Sequence, residues 1–174
     1  MNVQIKNLDM ASEVQVYNNF LSKTDFNELK KIFLNNDNFP YYLQNYKVVE
    51  GDGFTQFTHI FYQDQSVSSN FYGGLYPIIK KLNIVSLIRI KLNLQLKDVK
   101  VRLTGLHHDI QNPMENQKTG IFYMNTNNGK TIFEDGEEID SIENRMVVFP
   151  ASKRHAGTTH TDTMYRCVIN FNWI

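Results

Sequence analysis

The chain has 174 residues, 41% of them hydrophobic, which suits one domain whose core needs no covalent staple. Eighteen basic residues balance eighteen acidic ones, so net charge supplies no general attraction to nucleic acid or to an anionic membrane. The single cysteine, Cys167, excludes an internal disulfide framework and a multi-thiolate zinc site, and it fits a reducing compartment.

The opening stretch, Met1 to Met10, alternates polar and apolar residues and lacks the basic end and apolar centre of a signal peptide. No apolar run approaches the roughly 20 residues that cross a bilayer. A cytoplasmic protein without a membrane partner is therefore expected. Val14 to Phe20 predicts a short strand. The segment Ser22 to Leu34 predicts a helix. Ser22 or Thr24 can cap it, Asp25 and Glu28 suit its positive end, and Phe26, Leu29 and Phe33 share one face with Ile32 beside them. The run Asn35-Asn36-Asp37-Asn38 ends it. Phe54 to Tyr62 predicts a strand containing His59, which is expected to be packed or at the surface ahead of facing a pocket. Phe71 to Leu82 predicts a second helix, with Pro77 at a kink or in its first turn.

From Ser86 onward, extended segments follow one another. Ile88 to Leu96 alternates apolar and polar residues with period two. Val101 to His108, Gly120 to Asn125, Lys130 to Phe133, Met146 to Phe149 and Met164 to Trp173 predict further strands, with Asn127-Asn128-Gly129 as a turn. The fold class expected is mainly β with N-terminal helices, a helix-backed sandwich or jelly roll. Lys80, Lys81, Arg89, Lys91, Lys97, Lys100 and Arg102 cluster in sequence; a solvated face is expected for most of them, with recognition of an acidic substrate or a nucleic-acid backbone as the functional alternative.

The chemistry concentrates in the second half. Two imidazoles and one carboxylate on one face of a metal leave positions open for a co-substrate and O₂. Ligands at i and i+2 on a strand point the same way. His107 and Asp109 have that spacing, and His108 between them should face away. His155, after the strand Met146-Val-Val-Phe-Pro, is the preferred third ligand, with His160 as its competitor. Arg166, in the last strand, can grip a carboxylate through two parallel hydrogen bonds. Cys167 alternates away from it and should pack, as should Phe149, Phe171 and Trp173.

These residues carry a resemblance. The runs His107-His-Asp-Ile-Gln-Asn-Pro, Gly120-Ile-Phe-Tyr-Met-Asn, Asn128-Gly-Lys-Thr-Ile-Phe, Val147-Val-Phe-Pro, Arg154-His-Ala-Gly and Tyr165-Arg resemble the prolyl 4-hydroxylase-like branch of the 2-oxoglutarate/Fe(II) dioxygenases. The likeness covers roughly residues 87–174, and Phe20-Leu-Ser-Lys resembles the usual opening of such domains. Asn128-Gly129-Lys130 departs from the glycine pair often found before the threonine, and the spacing from His155 to Arg166 is slightly long.

The resemblance implies one domain over 1–174, with helical support over about 1–85 and a double-stranded β-helix (cupin-like jelly roll) over about 86–174. It implies His107, Asp109 and His155 as ligands of Fe(II), and Arg166 as the grip on the far carboxylate of 2-oxoglutarate. Tyr123 would be a second donor there, and Thr131 would line the same pocket. It implies O₂ as oxidant, ascorbate as an accessory, and hydroxylation of an unactivated C–H bond with release of succinate and CO₂. Peptidyl proline is the leading substrate, ahead of a small molecule or nucleobase. Asp109 occupies the position that halogenases leave without a carboxylate. A non-catalytic jelly-roll binding module is the alternative of a different class, and the trio with Arg166 stands against it. Because only Ile174 follows the last strand, substrate contacts are expected from the N-terminal half and the strand loops.

Overall fold

A computed structural model describes residues 14–174; Met1 to Met10, scanned above for a targeting signal, lies outside them. Among the described residues no helix is long and apolar enough to cross a membrane. The fold is mainly β, and every strand pair is antiparallel. The strands are β1 (Gln15–Tyr17), β2 (Tyr42–Gln44), β3 (Gln56–Gln63), β4 (Ser66–Val67), β5 (Leu87–Leu96), β6 (Lys118–Tyr123), β7 (Lys130–Phe133), β8 (Glu138–Asp140), β9 (Arg145–Pro150), β10 (His155–Gly157) and β11 (Tyr165–Trp173). An eight-stranded sheet runs β1-β9-β6-β11-β5-β3-β2, with β4 paired to β3, and a three-stranded sheet runs β10-β7-β8.

Period-two alternation decides what each face of the large sheet does. Ile90 and Leu92 of β5, Cys167, Ile169, Phe171 and Trp173 of β11, and Phe122 of β6 point to one side. There they meet the helix α1 (Lys23–Phe33) through Phe26, Leu29 and Phe33, and the helix α2 (Tyr76–Lys81) through Ile78. Ile121, Tyr123, Val147, Phe149 and Val168 point to the other side, where Phe133 and Ile139 of the small sheet close a second, smaller core. The packing residues expected from sequence, Phe149, Cys167, Phe171 and Trp173, are all buried in these two clusters.

The Ser22 hydroxyl caps α1, accepting from the Asp25 amide at 3.1 Å, while Thr24 lies inside the helix. The second helix splits: a 3-10 turn (Tyr72–Leu75) precedes α2, and Pro77 sits in the first turn of α2, where its missing N–H costs nothing. His59 is buried between the Pro40 carbonyl (2.8 Å) and the Ser69 hydroxyl (2.7 Å) within an aromatic cluster.

One predicted strand is not continuous. Val101 to His108 makes only two isolated bridges, Leu103 to Thr158 and His107 to His155. Four residues on one side span what three span on the other, so one extra residue bulges out near Gly105. The short strands β2, β4, β8 and β10 were absent from the sequence expectation. They exist because a longer neighbour pairs with them.

The lead into α1 is pinned to the β8–β9 turn by Asn144, whose φ of 56° places it in the left-handed region. Its side-chain oxygen accepts from the Leu21 amide at 2.8 Å and its nitrogen donates to the Leu21 carbonyl at 2.9 Å. The Phe20 amide donates to the Asn144 carbonyl at 2.8 Å. Asn144→Gly keeps the backbone geometry and removes both side-chain bonds in a buried place. It should cost about 2–4 kcal/mol in denaturant unfolding. A loss under about 0.5 kcal/mol would show that the helix is held by packing alone.

Candidate metal centre and its cavity

His107 and His155 face each other across the isolated bridge. Each donates its backbone N–H to the other's carbonyl, at 3.0 and 3.1 Å. Their rings lie 4.8 Å apart, and Phe149 and Phe133 pack against His155. Asp109 follows two residues after His107, and one oxygen of its carboxylate lies 3.7 Å from His107 Nε2 and 3.9 Å from His155 Nε2. The three ligand atoms fall within 4.8 Å of one another. Two imidazole nitrogens and a carboxylate oxygen converging this closely form a donor set suited to a divalent transition metal.

The carboxylate is buried, with a side-chain exposure of 6%, and is held from β11 and β5. Asn170 donates to it at 2.9 Å, Asn172 at 3.5 Å, and the Arg89 guanidinium lies 3.5 Å away. Burial pushes the Asp109 carboxyl up, but His155, Arg89, His107 and Asn170 together hold it below the usual range, so it stays ionised. Burial lowers the His155 imidazole to about 4, against a smaller upward pull from Asp109. It is therefore a neutral imidazole with a free lone pair at pH 7. His108 bonds the Ser152 carbonyl (3.0 Å) and is not one of the trio, but it too lines the cavity, whereas alternation had it facing away; His160 is buried apart from the trio.

The trio opens into a cavity of about 550 Å³. Arg166 lies buried in the same cavity, its Nε donating to the Ser141 hydroxyl at 2.9 Å and its guanidinium over the Tyr123 ring. Tyr123 shares a 2.7 Å hydrogen bond with Thr131, and burial keeps it a neutral phenol. Among the described residues no carboxylate lies within ion-pair distance of Arg166, and its hydrogen-bond partners, Ser141 and Thr131, are neutral hydroxyls. Gly129 is what lets Arg166 lie there: a Cβ at that position would sit 2.8 Å from Arg166 Cδ. Of the six residues named from sequence, His107, Asp109, Thr131, His155 and Arg166 line this cavity, and Tyr123 stands behind Thr131.

Sequence reasoning missed others. Lys47 reaches in from a loop whose amides Lys47, Val48 and Val49 donate to one oxygen of Asp52, with Phe54 donating to the other. Its ammonium bonds Gln95 at 3.2 Å, and burial and then Arg166 lower it to about 7. A Cβ on Gly157 would sit 3.1 Å from Lys47 Nζ and 3.8 Å from Arg166 Nη1, so that glycine leaves space shared by two cations. Arg89 and Lys91 were expected on a solvated face, and this is corrected: both line the cavity. The signal was present in β5, where Arg89, Lys91, Asn93 and Gln95 fall on one side of a strand whose other side is apolar. The N-terminal half also contributes Gln44, Gln56 and Thr58 to the lining.

The sequence matches no protein-family model and no curated protein. The fold does match solved structures. One is an oxidoreductase of the 2OG-Fe(II) oxygenase family from Burkholderia pseudomallei, with 11% identity, TM-score 0.67, and 94% of this chain and 85% of that one covered. Another is a prolyl hydroxylase from Trichoplax adhaerens in complex with a hypoxia inducible factor oxygen degradation domain peptide fragment, with 14% identity, TM-score 0.61, and 92% and 83% covered. A third is HygX from Streptomyces hygroscopicus with nickel, 2-oxoglutarate and hygromycin B bound, with 8% identity, TM-score 0.59, and 94% and 83% covered. At these identities the likeness is one of fold.

The His155 geometry sets a pH dependence. The folded imidazole protonates near 4 and the unfolded one near 6.5, so the folded state binds fewer protons between these values. In metal-free protein the stability tied to His155 is full above about pH 6.5 and drains as pH falls toward 4, by up to about 3 kcal/mol. His155→Asn should lose less stability than wild type between pH 7 and 4.5 in urea unfolding. Parallel losses would mean that His155 is not held neutral by burial.

Proposed function

We propose that the chain is a 2-oxoglutarate- and Fe(II)-dependent oxygenase that hydroxylates an unactivated C–H bond. The proposed domain spans 1–174, with helical support in the first half around a double-stranded β-helix. The observation that carries this reading is the placement of a His-Asp-His donor set and a buried, carboxylate-free Arg166 in one cavity. His107, Asp109 and His155 would hold the metal. Arg166, with Tyr123 and Thr131 around it, would grip the far carboxylate of 2-oxoglutarate, and Lys47 adds a second cation at the same end. The bound iron supplies activation of O₂: one oxygen atom goes to 2-oxoglutarate, which leaves as succinate and CO₂, and the other enters the substrate C–H bond as hydroxyl. The protein's own part is positional. Asn170 and Asn172 aim the Asp109 carboxylate, the backbone bridge sets the two imidazoles, and Gly129 frees the Arg166 side chain. Ascorbate would serve as an accessory reductant.

Peptidyl proline is the substrate that the sequence resemblance implies, and the Trichoplax neighbour is a prolyl hydroxylase with a peptide fragment bound. A small polar molecule is the second reading. What favours it is the row Arg89, Lys91, Asn93 and Gln95 of β5, which lines the cavity with amides and cations.

Anaerobic addition of Fe(II) and 2-oxoglutarate should produce a weak visible charge-transfer band that His107→Ala abolishes. Absence of a band from wild type would sink the oxygenase reading. Arg166→Ala should weaken 2-oxoglutarate roughly 30- to 100-fold while leaving iron affinity within about threefold. Gly129→Ala should do the same more mildly, because its methyl displaces Arg166. Equal losses of iron and 2-oxoglutarate in both variants would remove Arg166 from its assigned role.

A further inference from the structure

Among the described residues, four basic side chains line the cavity, Lys47, Arg89, Lys91 and Arg166, against one carboxylate, Asp109. A divalent metal and a dianionic 2-oxoglutarate cancel each other, so the cavity keeps its positive excess after both are bound. The excess has two separate locations. Arg166 pairs with Gln95 across β11 and β5, whereas Asn170 pairs with Lys91, four residues along. At the rise of a strand this puts Lys91 roughly 13 Å from the Arg166 level. Lys91 instead stands at the level of the trio and one strand to its side, next to the Asn170 that holds Asp109.

Among the described residues no carboxylate lies within ion-pair distance of Lys91. Its ammonium donates to the Gln44 side-chain oxygen at 3.1 Å, and Gln56 donates to the same oxygen at 3.4 Å. Arg89, two residues away on the same face, is engaged by Asp109 and Asn172. Thr58 and Asn93, paired across β3 and β5, continue the wall. Burial and then the neighbouring Arg89 push Lys91 down to about 8, against a smaller upward pull from Asp109. A half-buried ammonium facing neutral acceptors at the edge of a reaction centre is complementary to an anion supplied from outside.

We propose that Lys91, with Gln44 and Arg89 beside it, is an anion-binding subsite for the substrate, so that the molecule hydroxylated is a small polar acid carrying a carboxylate or phosphate group. The identity of the hydroxylated molecule rests on the oxygenase reading; the anion subsite stands on its own geometry. An uncharged proline-containing peptide finds no counterpart for these groups, whereas an acid places its charge at Lys91 and a neighbouring carbon beside the trio.

Inorganic phosphate, titrated into the protein without metal or 2-oxoglutarate, should give a saturable shift of the Gln44 and Asn93 side-chain amide signals in ¹⁵N–¹H spectra. Lys91→Met should weaken this binding by about tenfold or more, and Lys91→Arg should restore most of it. Unchanged binding in Lys91→Met, or no shift in wild type, would overturn the subsite. With Fe(II) and 2-oxoglutarate, succinate release should be stimulated by a member of a panel of dicarboxylic acids, acidic amino acids and sugar phosphates, and Lys91→Met should raise that substrate's KM by about tenfold. Stimulation by an uncharged proline-rich peptide and by no acid would overturn the substrate class. If phosphate binds at Lys91 but no preparation forms the iron band or succinate, the subsite holds and the oxygenase reading alone fails.

Discussion

Two backbone hydrogen bonds between His107 and His155 tie together parts of the chain that are 48 residues apart. Neither residue lies in a regular ladder with the other; the bridge is isolated, and the segment before it bulges. The alignment of the two imidazoles therefore does not follow from a long strand that would tolerate small errors. It follows from this one pair, backed by Phe149 and Phe133 against the His155 ring. Asp109 is located through the same bridge and then fixed by asparagines of the large sheet, so the donor set and its supports draw on both sheets.

That construction explains what the sequence disclosed and what it hid. The alternation in Ile88 to Leu96 and in the last strand was legible, because a strand with one apolar face must bury it. The fate of the polar face was not legible. A polar row reads the same whether it meets water or a polar cavity, and Arg89 and Lys91 were assigned to water for that reason. The His-x-Asp spacing was legible for a related reason, although the strand invoked to explain it proved broken at Gly105. The bridge at His107 was enough for His107 and Asp109 to converge, while His108 between them bonds the Ser152 carbonyl at the cavity's edge.

Other features depended on distant partners. The triplet His155-Ala-Gly157 has no strand-forming character of its own; β10 exists because it pairs with β7. Lys47 lies in a loop without periodicity, and only the folded position of Asp52, collecting four amides, aims it inward. Gly129 was noted as part of a turn, yet its larger role is steric and concerns a side chain 37 positions later. The charge balance of the whole chain, which is zero, concealed a cavity with a marked local excess of one sign.

The opposed faces of β5 couple fidelity of folding to chemistry. Ile90 and Leu92 lie in the large core while Arg89, Lys91 and Asn93 lie on the cavity wall. A slip of one residue against β11 would exchange the two sets, sending charges into the core and aliphatic groups to the cavity. A misaligned molecule would thus be a poorly folded one and would fall to proteolysis before it could offer a defective site. The strand proofreads itself: the sequence that writes the pocket on one face carries, on the other, the penalty for writing it out of place.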